Sequence, residues 1–160
     1  MAKSKFERLI QEDDDPMVQP WKSASLGDSI LVRTTNGKPS YWKVLVVIDK
    51  RVIGFIDIKN KNIPRYGFFY QSPEHLENCP AQYPVITSEG AKEMAKTVLF
   101  NYANFSIGEP VYVHDGAVET RLAWMIEIKK DNEIISRVFV TPKFIYERKA
   151  GAIIEDNQKK

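Results

Sequence analysis

The chain has 160 residues, 43% of them hydrophobic and 28% charged, which suits a buried core and excludes global disorder. Its 23 basic and 21 acidic side chains nearly balance, which argues against nucleic acid as the main partner because phosphate binding needs a one-sided basic surface. No apolar run approaches the ~20 residues of a membrane span, the opening MAKSKFERLIQEDDD lacks the apolar core of a secretory signal, and Cys79 is a lone cysteine, so a cytoplasmic location without membrane contact is expected.

Residues 1–25 form an N-terminal segment. Phe6, Leu9 and Ile10 fall at i, i+3 and i+4, which predicts a short, weak helix ended by Pro16. Asp13, Asp14 and Asp15 point in different directions when consecutive, so they read as solvated carboxylates, and no metal is assigned to them. Residues 26–61 read as a first β-meander. Leu26-Gly27-Asp28 reads as a turn and Ser29–Thr35 as a strand, and Asn36-Gly37 reads as a two-residue type I′ hairpin. Strands over Tyr41–Ile48 and Arg51–Ile58 follow, joined at Asp49-Lys50.

The connector 62–86 is rich in aromatic residues and proline. One reading makes Arg65–Gln71 a fourth strand with its aromatics in the core; the other gives Tyr66, Phe69 and Tyr70 to a partner or ligand. His75 and Cys79 sit four apart, the spacing of a nucleophile–base pair on one helical face, with His114 as a second candidate base. Two histidines and one cysteine are too few for a zinc site, so neither a metal nor any other cofactor is assigned.

Residues 87–149 hold a helix and a second meander. Ala91, Met94, Ala95, Val98, Leu99 and Tyr102 give one apolar face and predict a main amphipathic helix over residues 88–104. Val111–His114, Leu122–Ile128 and Ile134–Val140 are the strands, with turns at Asp115-Gly116 and Asp131-Asn132. His114-Asp115 makes a poor base–orienter pair, since adjacent strand residues point to opposite faces. The tail 150–160 is expected to fray, with Ile153 and Ile154 docking before it does.

The two meanders share a pattern. Trp42, Val44, Val46, Asp49, Val52, Ile53, Ile56 and Ile58 correspond to Trp124, Ile126, Ile128, Asp131, Ile134, Ile135, Val138 and Val140. The expected fold is therefore α+β: two antiparallel β-meanders related by an internal repeat, with the 88–104 helix packed on the sheet. Trp42 and Trp124 are expected to face inward as core anchors. The first meander lacks a strong helix of its own, so it is expected to share that cover or find it in a partner, as one cooperative unit.

The stretch ITSEGAKEMAKTVLFN, then IGEP, then LAWMIEIKKDNEIISRVFV resembles the PepSY-type, cystatin-like arrangement of a helix followed by an antiparallel meander. It covers residues 86–140, with a partial second copy at 26–58. The resemblance implies a binding or inhibitory module and supplies no functional residue.

No phosphate loop, dinucleotide fingerprint or nucleophile elbow is present. The expected function is a non-catalytic protein-interaction or ligand-binding module, working with another protein or as a homodimer, a small ligand being admitted. The alternative is a small cysteine-dependent enzyme with its site in residues 62–84, using Cys79 with His75 or His114. A third reading, nucleic-acid binding through Arg33, Lys38, Lys43 and Arg51, carries less weight because of the charge balance.

Overall fold

Phe6, Leu9 and Ile10 form the apolar stripe of the first helix, α1 (Ala2–Glu12). Asp15 stops the chain from drifting after it: its carboxylate accepts the N–H of Met17 at 2.9 Å and caps a 3₁₀ segment, Pro16–Ser23. That segment buries Val18 and Trp21 completely. The computed structural model describes residues 2–99, 103–116 and 118–150. The chain divides into two compact units, Met1–Val32 with Ser40–Val85 and Arg33–Pro39 with Ile86–Lys160. The fold is mixed α+β, with nine strands, two α-helices and two 3₁₀ segments among the described residues.

In the first unit, β1 (Ser25–Arg33), β2 (Pro39–Ile48), β3 (Arg51–Lys59) and β4 (Asn62–Phe68) lie in the order β4-β3-β2-β1. One face carries Val46, Ile53 and Ile56 and is covered by Phe6, Val18, Trp21, Tyr70 and Cys79. The first meander thus has its own cover. The helix read as short and weak runs eleven residues, and with the Trp21 segment it supplies the cover that the sequence reading sought elsewhere. The fourth-strand reading of the connector fits β4, an edge strand of this unit that tolerates Pro64.

The second unit packs α2 (Ser88–Lys96) on β7 (Val118–Lys130) and β8 (Glu133–Val140). β6 (Val111–Asp115), β7, β8 and β9 (Ile145–Lys149) are neighbours in that order, and β5 (Ser106–Ile107) pairs with β7. Ala91, Ala95 and Leu99 meet Ile126, Ile128, Val138 and Val140; on the opposite face Val113, Ala123, Met125 and Phe139 form a further cluster.

The hairpins β2–β3 and β7–β8 have corresponding registers. Trp42↔Ile58, Val44↔Ile56 and Val46↔Gly54 answer to Trp124↔Val140, Ile126↔Val138 and Ile128↔Ser136, an offset of 82 residues, and each hairpin has a register shift at the same place, after Val46 and after Ile128. Asp49-Lys50 and Asp131-Asn132 both take positive φ at their two residues, the geometry of primed hairpin turns.

Four sequence expectations need correction. The helix expected over 88–104 ends at Lys96, because Thr97 and Val98 are β-branched and the Thr97 hydroxyl donates to the Met94 carbonyl at 2.7 Å; Val98 and Leu99 then make i→i−3 bonds. Tyr102 and residues 151–160, including Ile153 and Ile154, lie outside the described residues. Asn36-Gly37 is not a type I′ turn: the loop is Thr34–Lys38, closed by Thr34 N–H to Lys38 O at 2.9 Å, and Gly37 alone in it has positive φ. Leu26-Gly27-Asp28 is strand rather than turn, since a Cβ at Gly27 would sit 2.9 Å from Val47 Cγ1; the glycine permits close packing on β2. Finally, Trp42 is 47% exposed and outside the core cluster, whereas Trp124 is held by its indole N–H to the Ile86 carbonyl at 2.8 Å and by the Tyr112 ring.

Candidate functional site

On α1, Lys3, Phe6, Glu7 and Ile10 recur at the spacing of one helical face. The 3₁₀ segment closes with the Ala24 N–H on the Trp21 carbonyl at 3.1 Å, leaving Ala24 extended so that β1 starts alongside that helical face. The result is a groove of about 450 Å³ lined by Lys3, Phe6, Glu7, Ile10, Ala24, Ser25 and Leu26. Its floor is apolar and its rim carries one cation and one carboxylate. Beside it, β1 neighbours β2, and its last residue, Arg33, pairs in parallel with Val113 of β6. Ser25, Gly27, Asp28 and Ser29 of β1 are exposed.

A buried charge cluster occupies the other face of the first unit. Lys43 Nζ donates to Asp57 Oδ1 at 2.7 Å and Arg65 Nε to Asp57 Oδ2 at 3.0 Å. The Lys43 and Asp57 side chains are only 3% and 2% exposed. Lys43 also lies 3.3 Å from the centroid of the Phe55 ring, and Arg65 packs over Tyr41. Burial depresses the Lys43 pKa, and its hydrogen bond and charge attraction to Asp57 oppose that shift. The cross-strand pair Lys43↔Asp57 falls where the second hairpin has Met125↔Phe139. In the second unit, Arg148 grips Asp115 with two bonds of 2.7 and 2.9 Å and Arg121 approaches at 3.4 Å. Burial acts to raise the Asp115 pKa, but the hydrogen bonds and charges of Arg148 and Arg121 outweigh it and hold the carboxyl below its usual range. These clusters bind strands to one another, and their ionised groups are engaged internally.

The connector aromatics divide between two environments. Tyr66 is partly exposed, and its hydroxyl donates to Asp13 Oδ2 at 2.8 Å; its ring and that of Phe68 meet Trp21 edge-on. Tyr70 is buried and its hydroxyl donates to the Met17 carbonyl. Phe69 stacks on Tyr83 at 5.0 Å and leans on Phe55. Tyr66 and Tyr70 therefore share one aromatic cluster through Phe68, while Phe69 belongs to another.

Cys79 is 1% exposed, and burial pushes its thiol pKa up, with Arg51 opposing. The His75 side chain is 62% exposed and its Nδ1 pairs with Glu77 at 3.0 Å, so the two side chains occupy different environments. His114 is a buried residue of the second unit, with Nδ1 3.1 Å from the Gly116 carbonyl. Of the basic residues considered for nucleic acid, Lys43 is buried, Arg51 donates to the Cys79 carbonyl at 2.7 Å and Arg33 to the Gly37 carbonyl at 2.9 Å. The acidic triplet serves as turn and cap: Asp13 accepts from Asp15 N–H, and Asp15 from Met17 N–H. Among the described residues no group of three or more His, Cys, Asp or Glu is placed to hold a metal ion, and no helix is long and apolar enough to cross a membrane.

The groove and the Trp21 anchor were missed by sequence reasoning. The signals available were Asp15-Pro16, a cap followed by proline at a helical first position, and the Lys3/Phe6/Glu7/Ile10 stripe. Neither reveals that β1 starts beside α1. No family model, curated protein or solved structure matches the chain.

Proposed function

We propose that the chain is a non-catalytic module that binds another protein. The groove between α1 and β1 carries this reading: an apolar floor of Phe6, Ile10, Ala24 and Leu26 opens to solvent between a helix face and the start of a strand. Internal pairing of Lys43, Asp57 and Asp115 supports it from the other side, since the most buried ionised groups are engaged with one another. We also read the two hairpins as copies of one unit, supported by their shared register offset. The order of α2 ahead of β6–β8 accords with the cystatin-like resemblance. The homodimer loses the motive of an uncovered first meander, because α1 and Trp21 supply that cover. A free, buried Cys79 accords with a reducing cytoplasm.

The test is selection from a random peptide library displayed on phage, against the immobilised protein. Enriched peptides that lose binding to an Ile10→Glu variant support the reading. Absence of enrichment, or binders indifferent to the groove, counts against it.

A further inference from the structure

We propose that Trp42 anchors an extended segment of another protein, laid over the first hairpin as the Ile86 segment lies over the second. This rests on reading the two hairpins as copies, and Trp42 lies outside the lining of the α1 groove. Trp42↔Ile58 stands in the first hairpin where Trp124↔Val140 stands in the second. Trp124 gives its indole N–H to the Ile86 carbonyl at 2.8 Å, and the Ile86 side chain packs on the same apolar cluster. The Tyr112 ring completes its cover, with centroids 5.0 Å apart. Trp42 has neither contact: among the described residues no acceptor meets its indole N–H and no ring meets its own, and 47% of it is exposed. A tryptophan of that kind offers a large apolar face and one donor, the combination that dominates protein interfaces.

The second hairpin also shows what form the occupant takes. A helix laid as α2 is laid needs Ile126, Ile128, Val138 and Val140 beneath it. Two of their counterparts in the first hairpin, Val46 and Ile56, are already covered by Phe6, Val18 and Trp21. An extended chain needs only Trp42 and the partly buried Ile58. The segment therefore brings one β-branched aliphatic side chain to that pair and one backbone carbonyl to the indole. A second copy of this chain is a poor source of it, because its own Ile86 carbonyl is held by Trp124.

The experiment titrates a capped PVITS peptide, copied from residues 84–88, into the ¹⁵N-labelled full chain and follows the three tryptophan indole N–H resonances by NMR. The Trp42 resonance, assigned with Trp42→Phe, should move while those of Trp21 and Trp124 stay. Trp42→Phe keeps a ring but removes the donor, and it should weaken binding at least about fivefold, read from the backbone amides of residues 56–60. Glycine in place of the peptide's isoleucine should weaken it at least about tenfold. No shift at millimolar peptide, or a shift of the Trp124 resonance instead, overturns the inference. Shifts confined to Phe6, Ile10 and Leu26 overturn it too, while supporting the α1 groove. A Trp42 resonance that moves with the concentration of the free protein overturns it in favour of a second copy. Failure of the library selection at the groove leaves the Trp42 result unaffected, so the two readings fail separately.

Discussion

Replacing Asp57 with Asn keeps the side-chain shape and removes the one carboxylate shared by Lys43 and Arg65. Arg65 is partly exposed and can turn toward water. Lys43 cannot, since its side chain is 3% exposed. Removing one partner of a buried pair costs roughly 3–5 kcal/mol, a large share of the about 5–15 kcal/mol that holds a typical domain. Lys43→Met alone should also destabilise, by leaving Asp57 with one cation. The double variant Lys43→Met/Asp57→Asn should be more stable than the sum of the singles predicts, with a coupling of at least about 1 kcal/mol. Urea unfolding of the four proteins near neutral pH measures it. The pH dependence has a definite sign. Burial already depresses the folded-state Lys43 pKa below 10.5, and the Asn variant, lacking the opposing Asp57 attraction, depresses it further. Between the folded and unfolded values the unfolded chain binds more protons, so stability from this group rises with pH and the deficit of Asp57→Asn should shrink toward alkaline pH. An Asp57→Asn cost under about 1 kcal/mol with additive singles would refute the buried-pair reasoning.

Three further outcomes are expected. Gly54→Ala places a Cβ 2.6 Å from both the Gly67 carbonyl oxygen and Trp21 Cζ2, so it should lower stability by roughly 1–3 kcal/mol; an unchanged Tm would contradict that contact. Burial pushes the Tyr70 hydroxyl pKa up to about 12 from 10.0, so its contribution is intact below pH 10 and declines toward pH 12 as the unfolded chain ionises first. Alkaline unfolding curves of Tyr70→Phe should lack that decline. Cys79 should react with iodoacetamide more slowly in the folded protein than in urea, because its thiol is buried with a raised pKa; rapid alkylation of the folded chain near neutral pH would favour the cysteine-enzyme reading.

Local chemistry made much of the second meander and the turns readable in advance. Asp49-Lys50 and Asp131-Asn132 turn where their polar pairs stand between alternating strands, and β3 and β8 differ from expectation by a residue at one end. What failed depended on contacts distant in sequence. Trp21 sits in PMVQPWKS, which has no helical period and two prolines, so nothing local announced that it would become a main cover of the first sheet. Trp42 shared its pattern with Trp124 but lacks the carbonyl and ring that enclose its counterpart. Lys43 resembled a surface cation until cross-strand register placed it opposite Asp57. The candidate groove was half legible: the α1 stripe could be read from spacing, but the strand start beside it follows from the cap at Asp15 and the turn at Ala24, which set direction rather than pattern.

The central claim is that the apolar groove between α1 and the start of β1 binds another protein. Affinity of library-selected peptides for the parent chain and for Ile10→Glu, measured alongside urea unfolding of both proteins, tests it most directly. The expected result is a loss of binding of at least about tenfold in a variant that still unfolds cooperatively. Equal affinity for the two proteins would contradict it.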